Sequence, residues 1–221
     1  MPIEIGEETL GHVKRMFGAI ENDVKIYFFR KEGECMYCDD TEQILDTLAG
    51  LSDKIHILKL GERSKEARKY GIPMFPAILI HGKHPYNIRY FGIPAGYEFG
   101  AFVEDLIDVS RGDVDIEPEL KNIIRKRVRR PLRIMVFVTP TCPYCPLAVR
   151  TSHKLAIVND LITGDTIEAL EFQELASRYF VYAVPKVVIQ VGSEDKVEFE
   201  GPLPTQHFVE KILEALGEDA L

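Results

Sequence analysis

A chain of 221 residues is too long for one small module and short for three domains, so one large or two compact domains are open. Hydrophobic residues at 46% and charged residues at 28% describe a globular protein with a real core. Thirty-five acidic against 27 basic residues leave a net charge of −8, which argues against a nucleic-acid partner. No run reaches the ~18 apolar residues of a bilayer crossing. The first residues carry Glu4, Glu7 and Glu8 and show no signal-peptide pattern. A soluble cytoplasmic protein without a membrane partner is expected.

Taken in chain order, the pattern predicts a helix over roughly Glu7 to Ile20 and then a strand, Val24 to Phe29, rich in β-branched and aromatic residues. Cys35-Met36-Tyr37-Cys38 follows, then a helix with Ile44, Leu45 and Leu48 on one face, a strand, and a helix from Ser64 to Tyr70. A strand begins at Pro76, another strand follows, and a helix closes the first unit near Arg111-Gly112-Asp113. The same order then recurs. Glu117-Pro118-Glu119 starts a helix with Leu120, Ile123, Ile124 and Val128 as its stripe. The strand Ile134 to Val138 leads to Cys142-Pro143-Tyr144-Cys145, and a strand from Thr166 to Leu170 follows the next helix. A helix near Phe172 to Tyr179, the strand after Pro185 and a helix from Pro204 to Leu216 complete the chain.

The recurrence is measurable. Cys35 and Cys142 lie 107 residues apart; Pro76 and Pro185, Gly92 and Gly201, and Phe99 and Phe208 each lie 109 apart. Register held to within two residues across the chain means two copies of one unit, residues 1–112 and 113–221. Each unit is α/β, with a mixed central sheet flanked by helices.

Every cysteine sits in a C-x-x-C pair between a strand and a helix. That position puts the first sulfur at the helix N-terminus, where unpaired N–H groups and the helix dipole stabilise a thiolate. The first cysteine, Cys35 or Cys142, then attacks a disulfide, and the second, Cys38 or Cys145, resolves the mixed disulfide. The alternative is a zinc-binding structural module using all four thiolates. Zinc ribbons separate their pairs by ~15–20 residues, whereas Cys38 and Cys142 lie 104 apart. The histidines show no metal spacing, so no metal site is expected.

The repeated unit resembles the thioredoxin/glutaredoxin fold, and Cys142-Pro143-Tyr144-Cys145 is the glutaredoxin active-site motif. Two such units in tandem are similar to the protein disulfide oxidoreductases of hyperthermophilic archaea and bacteria. The resemblance implies that Pro76 and Pro185 are cis and face the cysteines, and that Phe75 and Val184 offer main-chain hydrogen bonds to an extended substrate. Tyr37 and Tyr144 would rim the two grooves. It further implies protein or peptide disulfides as substrates, no cofactor beyond the cysteine pairs, and a flavoprotein of the thioredoxin-reductase kind as electron donor. An electron-relay subunit serving a peroxidase is a second redox reading.

The sequence also departs from the family. It has no tryptophan, which thioredoxins carry before the first cysteine, and the glutathione-binding Thr-Val-Pro step of glutaredoxins is Ala183-Val184-Pro185 here. The buried acid that thioredoxins place on the strand before the motif is replaced, at Phe29 and Val136. Glu168, with Lys59 as its counterpart, is the candidate proton acceptor for Cys145; the bland reading makes it a solvated strand-end acid. Glu34, Asp39 and Asp40 adjoin the first pair, and Arg150 follows the second. Cys142 is therefore expected to hold the more stable thiolate and to carry most of the activity. The basic run Arg125-Lys126-Arg127 and Arg129-Arg130 reads as a solvated face.

Overall fold

The structure is a computed structural model and describes residues 5–217. Glu4 and the outer limits of the two expected units, residues 1 and 221, lie outside the described residues. The first half runs α1 (Glu7–Phe17), β1 (Val24–Arg30), α2 (Cys38–Ala49), β2 (Ile55–Gly61), α3 (Lys65–Lys69), β3 (Ala77–His81), β4 (Ile88–Phe91) and α4 (Tyr97–Arg111). The second repeats the order as α5 (Pro118–Arg127), β5 (Leu132–Val138), α6 (Cys145–Val158), β6 (Ile162–Glu168), α7 (Gln173–Arg178), β7 (Lys186–Val191), β8 (Glu194–Glu200) and α8 (Thr205–Leu216). Every expected element is present in the expected order, but the strand expected from Thr166 to Leu170 is β6, Ile162–Glu168, because Gly164-Asp165, which resembles a turn, lies inside it. Gly112 ends α4 in the left-handed conformation at φ 69°, which glycine adopts without a steric penalty. No helix among the described residues is long and apolar enough to cross a membrane.

The strands form one 8-stranded mixed sheet in the order β2-β1-β3-β4-β6-β5-β7-β8. In each half a parallel pair is followed by an antiparallel hairpin, with β1 and β5 in matching positions. The halves join because β4 pairs in parallel with β6, from Ile88 opposite Gly164 to Phe91 opposite Ile167. Two separate central sheets are therefore fused edge to edge. Two edge strands that would otherwise present unpaired backbone groups satisfy each other.

The two faces are covered unequally. One carries a continuous apolar cluster built from α1, α2, α4, α5, α6 and α8, including Phe17, Leu45, Phe102, Ile124, Val149 and Phe208. The other is covered through α3 and α7, with Phe29, Phe91, Phe137 and Ile167 at its centre. Alternation along β4 and β6 puts Arg89 and Asp165 on this second face, directly opposite each other in register. Asp165 is fully buried. It accepts from Arg89 through both oxygens, at 2.6 and 2.8 Å, and from Arg133 on β5 at 2.5 Å.

Breaking a buried, multiply bonded ion pair from one side is expensive, because the surviving charges stay desolvated. Asp165→Asn is therefore expected to cost about 3 kcal/mol. Lys211→Ala, which removes the exposed pair with Glu214, should cost under about 0.5 kcal/mol. Denaturation midpoints of the two variants check the contrast.

Candidate active sites

At the second pair, β5 delivers the chain into a turn in which the Cys142 N–H donates to the Thr139 carbonyl at 3.1 Å, and α6 begins at Cys145. The Cys142–Cys145 disulfide is closed, with a Cα–Cα distance of 5.5 Å. Cys145 is fully buried and Cys142 is only 7% exposed. The Cys142 sulfur accepts the Cys145 N–H at 3.1 Å, so the unpaired donors of the helix terminus are aimed at it. It lies 3.6 Å from the Val184 carbonyl oxygen, and the Val184–Pro185 peptide is cis. Beside it a cavity of about 460 Å3 is lined by Thr139, Leu170, Phe180, Tyr182 and Val184 among others. Tyr144, Leu147, Phe180 and Tyr182 are exposed large hydrophobic residues in this half.

The first pair repeats the plan in different surroundings. Cys38 is fully buried at the start of α2, Cys35 is half-buried, and their disulfide spans 5.6 Å between Cα atoms. Phe75–Pro76 is cis, and both residues line a groove of about 550 Å3 together with Cys35, Met36, Glu171 and Phe172. Tyr37 is half-buried, against the exposed Tyr144. No group of three or more His, Cys, Asp or Glu gathers as a metal would need among the described residues. The four sulfurs of the zinc reading are held apart as two disulfides.

Several sequence expectations need correction. Phe29 and Val136 are not equivalent: β1 pairs Phe29 with Ala77, and β5 pairs Phe137 with Lys186, so the matched positions are Phe29 with Phe137 and Phe28 with Val136. The counterpart of Glu168 is Gly61, not Lys59, since Glu168 pairs with Val138 and Gly61 with Arg30. Glu168 is also no solvated acid. It is 3% exposed, and its carboxylate accepts the N–H groups of Leu170 and Glu171 at 3.2 and 2.6 Å. Burial holds its pKa above the ordinary carboxylate value while those two hydrogen bonds pull it back. Its oxygens cap a turn and make no hydrogen bond to Cys145.

The charges near the cysteines also differ from their count. Arg150 bonds Asp105 and also Glu104 and Asp108, at 3.0 and 2.6 Å, so three carboxylates compensate its charge. Asp39, beside the first pair, is taken by Arg30 at 2.6 Å. His153 is buried with Nδ1 2.5 Å from Asp105 and Nε2 3.3 Å from Thr166, a structural role. Burial alone would raise the Asp105 carboxyl, but Arg150 and His153 bring it below its ordinary value.

Two acids escaped the sequence reading. Glu98 lies in the first turn of α4, whose Tyr97 N–H donates to Pro140 of the Cys142 turn at 3.0 Å. Gly96, at φ 62°, permits that approach; a Cβ there would sit 2.1 Å from the Pro140 oxygen. Glu98 is 2% exposed, neither oxygen has a hydrogen-bond partner, and burial with help from Asp105 pushes its pKa up to about 8. Glu171 belongs to the β6–α7 turn of the second half yet lines the Cys35 groove of the first. Neither stands in a motif: the pairing of β4 with β6 brings Glu171 to the first groove, and Glu98 follows the residue that α4 sets against the Cys142 turn.

A C-x-x-C disulfide at a helix start, its second cysteine fully buried and a cis-proline beside it, occurs twice, and this arrangement is that of a dithiol–disulfide oxidoreductase. Residues 132–214 match the thioredoxin domain family. A thioredoxin from Methanocaldococcus jannaschii is 33% identical over 86 residues, covering 38% of this chain and 96% of the relative. The chain belongs to the thioredoxin family. Among solved structures, a protein disulfide oxidoreductase from Aeropyrum pernix K1 aligns at a TM-score of 0.85 and 23% identity over 99% of this chain and 97% of that one. The NTD_N/C domain of the alkylhydroperoxide reductase AhpF from Enterococcus faecalis aligns at 0.84 and 21% identity over 94% of this chain and 99% of that one. Both likenesses extend the shared fold over the whole tandem arrangement.

Glu98 makes stability depend on pH in a defined direction. The unfolded chain releases this proton near ~4.3, whereas the folded chain keeps it up to about 8. Between those values the folded state binds more protons, so stability falls as pH rises and levels off above the upper value. Glu98→Gln should flatten that fall in denaturation midpoints measured from pH 5 to 9. An unchanged slope would show that the carboxyl is not the source.

Proposed function

We propose that the chain reduces, forms or isomerises disulfides in protein or peptide substrates, using two units, residues 1–112 and 113–221, that divide the work. In the second unit the Cys142 thiolate attacks a substrate sulfur, a mixed disulfide forms, and Cys145 displaces the substrate and closes the pair. The observation that carries this reading is the Cys142 sulfur, held by the Cys145 N–H and 3.6 Å from the Val184 carbonyl. A substrate strand bonded to the Val184 main chain would bring its own sulfur to the one that attacks. The exposed Phe180 and Tyr182 supply an apolar bed for such a strand with Tyr144 at its rim, and Phe75 and Met36 do the same in the first unit with Tyr37 at the rim.

Cys142 is the principal nucleophile in this reading, and Cys35 and Cys38 form the slower or relaying pair. Support comes from the hydrogen bond at Cys142, which has no counterpart at Cys35 among the described residues, and from Glu34 and Glu171 on the walls of the Cys35 groove. No metal or organic cofactor takes part. A flavoprotein reductase of the thioredoxin-reductase kind returns the electrons, and the cytoplasm, where such pairs stay catalytic, is the place of action.

Reduction of insulin disulfides with dithiothreitol tests the assignment. Cys142→Ser is expected to lower turnover by at least about tenfold, because the stabilised thiolate is lost, and Cys35→Ser by less. Full turnover in Cys142→Ser with none in Cys35→Ser would reverse the two roles; full turnover in the double variant would end the reading.

A further inference from the structure

The 107- and 109-residue spacings differ because the second half carries a longer connection between its second strand and third helix. Gly61 and Glu168 are matched by strand pairing, and Ala67 and Ala176 by the bonds they accept from Ile72 and Val181. The first pair of landmarks is 107 apart and the second 109, so two extra residues fall in the turn that contains Leu170, Glu171 and Phe172. This lengthened turn reaches across the sheet seam. Phe172 packs edge-on against Phe91, the last residue of β4, at 6.3 Å between ring centres. Glu171 accepts the Ile93 N–H at 2.6 Å. Gly92, at φ 93°, makes room: a Cβ there would lie 2.6 Å from a Glu171 oxygen and 2.7 Å from the Glu168 Cβ. The same Gly92 donates its N–H to Pro76 at 3.3 Å. Glu171 thus stands one residue removed from the cis-proline of the other unit and on the wall of the groove that holds Cys35.

We propose that Glu171 is the proton-transfer residue of the first site, supplied to it by the second unit. The proposal rests on the reading of Cys35 and Cys38 as a working pair. One oxygen of Glu171 is used by Ile93, and the other has no hydrogen-bond partner among the described residues. Burial, with the charge of Glu168 added, pushes the carboxyl up to about 7 although the Ile93 N–H acts against it. A group that gains and loses a proton near neutrality suits transfer between sulfurs. The charged and titratable groups around it are Glu168 on its own turn, Lys31, Glu34 and Cys35 across the groove, and Glu174 and Arg178 from α7.

In the reducing direction the Cys35 thiol gives its proton to the Glu171 carboxylate as the sulfur attacks R–S–S–R′. The Cys35–S–S–R bond forms, the old S–S bond breaks, and the electron pair leaves on R′S⁻, which takes the proton from Glu171. Cys38 then closes the pair and releases RSH. The cysteine pair is oxidised by two electrons and the substrate is reduced by two.

The test uses the full chain with the second site silenced, Cys142→Ser/Cys145→Ser, in single-turnover reactions of the reduced Cys35 pair. Hydroxyethyl disulfide has a high-pKa leaving thiol that needs a proton; an activated aromatic disulfide leaves as a stable thiolate that does not. Glu171→Gln keeps an acceptor for Ile93, so the turn stays seated. It should slow reaction with hydroxyethyl disulfide by at least about tenfold, below the usual contribution of a positioned proton-transfer group because solvent reaches this groove. It should also remove the rise in rate with pH centred near 7, and slow the aromatic disulfide less, because that substrate needs Glu171 only to accept the Cys35 proton and not to return one to the leaving thiol. Exchange that persists with the same pH profile and the same ratio between the two substrates overturns the role of Glu171 alone. No exchange by the first pair, with Glu171 intact, overturns the working-pair reading and this proposal with it.

Discussion

The pairing of β4 with β6 is the constraint on which the rest of the molecule depends, and Asp165 is its pin. A carboxylate with no exposure, held by Arg89 from one strand and Arg133 from the next, has to be desolvated to form, which offsets much of its Coulombic gain. What it adds is register. A slip of one residue along the seam would turn Asp165 toward the other face and leave both arginines without their partner. That other face is locked as well: Tyr90 on β4 donates to Asp105 at 2.6 Å, and Asp105 also takes Arg150 and His153 from α6. Two polar networks, one on each side of a single pair of strands, leave one way to join the halves.

A fixed seam makes the sites interdependent. α4 of the first half starts against the Cys142 turn through Tyr97 and Pro140, with the buried Glu98 as its next residue. The β6–α7 turn of the second half walls the Cys35 groove. Neither unit, cut at Gly112, would keep the surroundings of its own cysteines. The duplication has therefore become a composite, in which each copy supplies structure to the other.

Much of this was legible in the sequence and some of it was not, for physical reasons. Helix and strand positions followed from local periodicity, caps and the proline landmarks, because those signals act within a few residues. The seam carries no local signal. β4 is a short strand, Ile88 to Phe91, and Gly164-Asp165 within β6 reads as turn chemistry until Arg89 and Arg133 are seen to satisfy the aspartate. The one-residue error at Phe29 and Val136 has a similar origin. Cysteines aligned at 107, but the strands before them align at 108, from Val24 to Leu132, and alternation turns a one-residue slip into the wrong face. Glu168 lay on its predicted strand, yet its use depended on which N–H groups the following turn pointed back at it.

The surroundings of the two pairs differ, though not in the way the order of charges along the chain suggests. Counting charges along the chain set three carboxylates beside Cys35 against a cation near Cys142. In space Arg150 is compensated by three acids and Asp39 by Arg30, so neither count reaches the sulfurs undiminished. What differs is solvation and hydrogen bonding. Cys142 is nearly buried and receives the N–H of the residue that starts its helix, an arrangement that favours negative charge on the sulfur without any mobile ion. Cys35 is more open and shares its groove with Glu34, Lys31 and a carboxyl from the other unit. A sulfur stabilised by fixed backbone dipoles responds weakly to salt and pH, whereas one whose neighbours are side-chain charges responds to both. The same fold thus surrounds one sulfur with backbone dipoles and the other with side-chain charges.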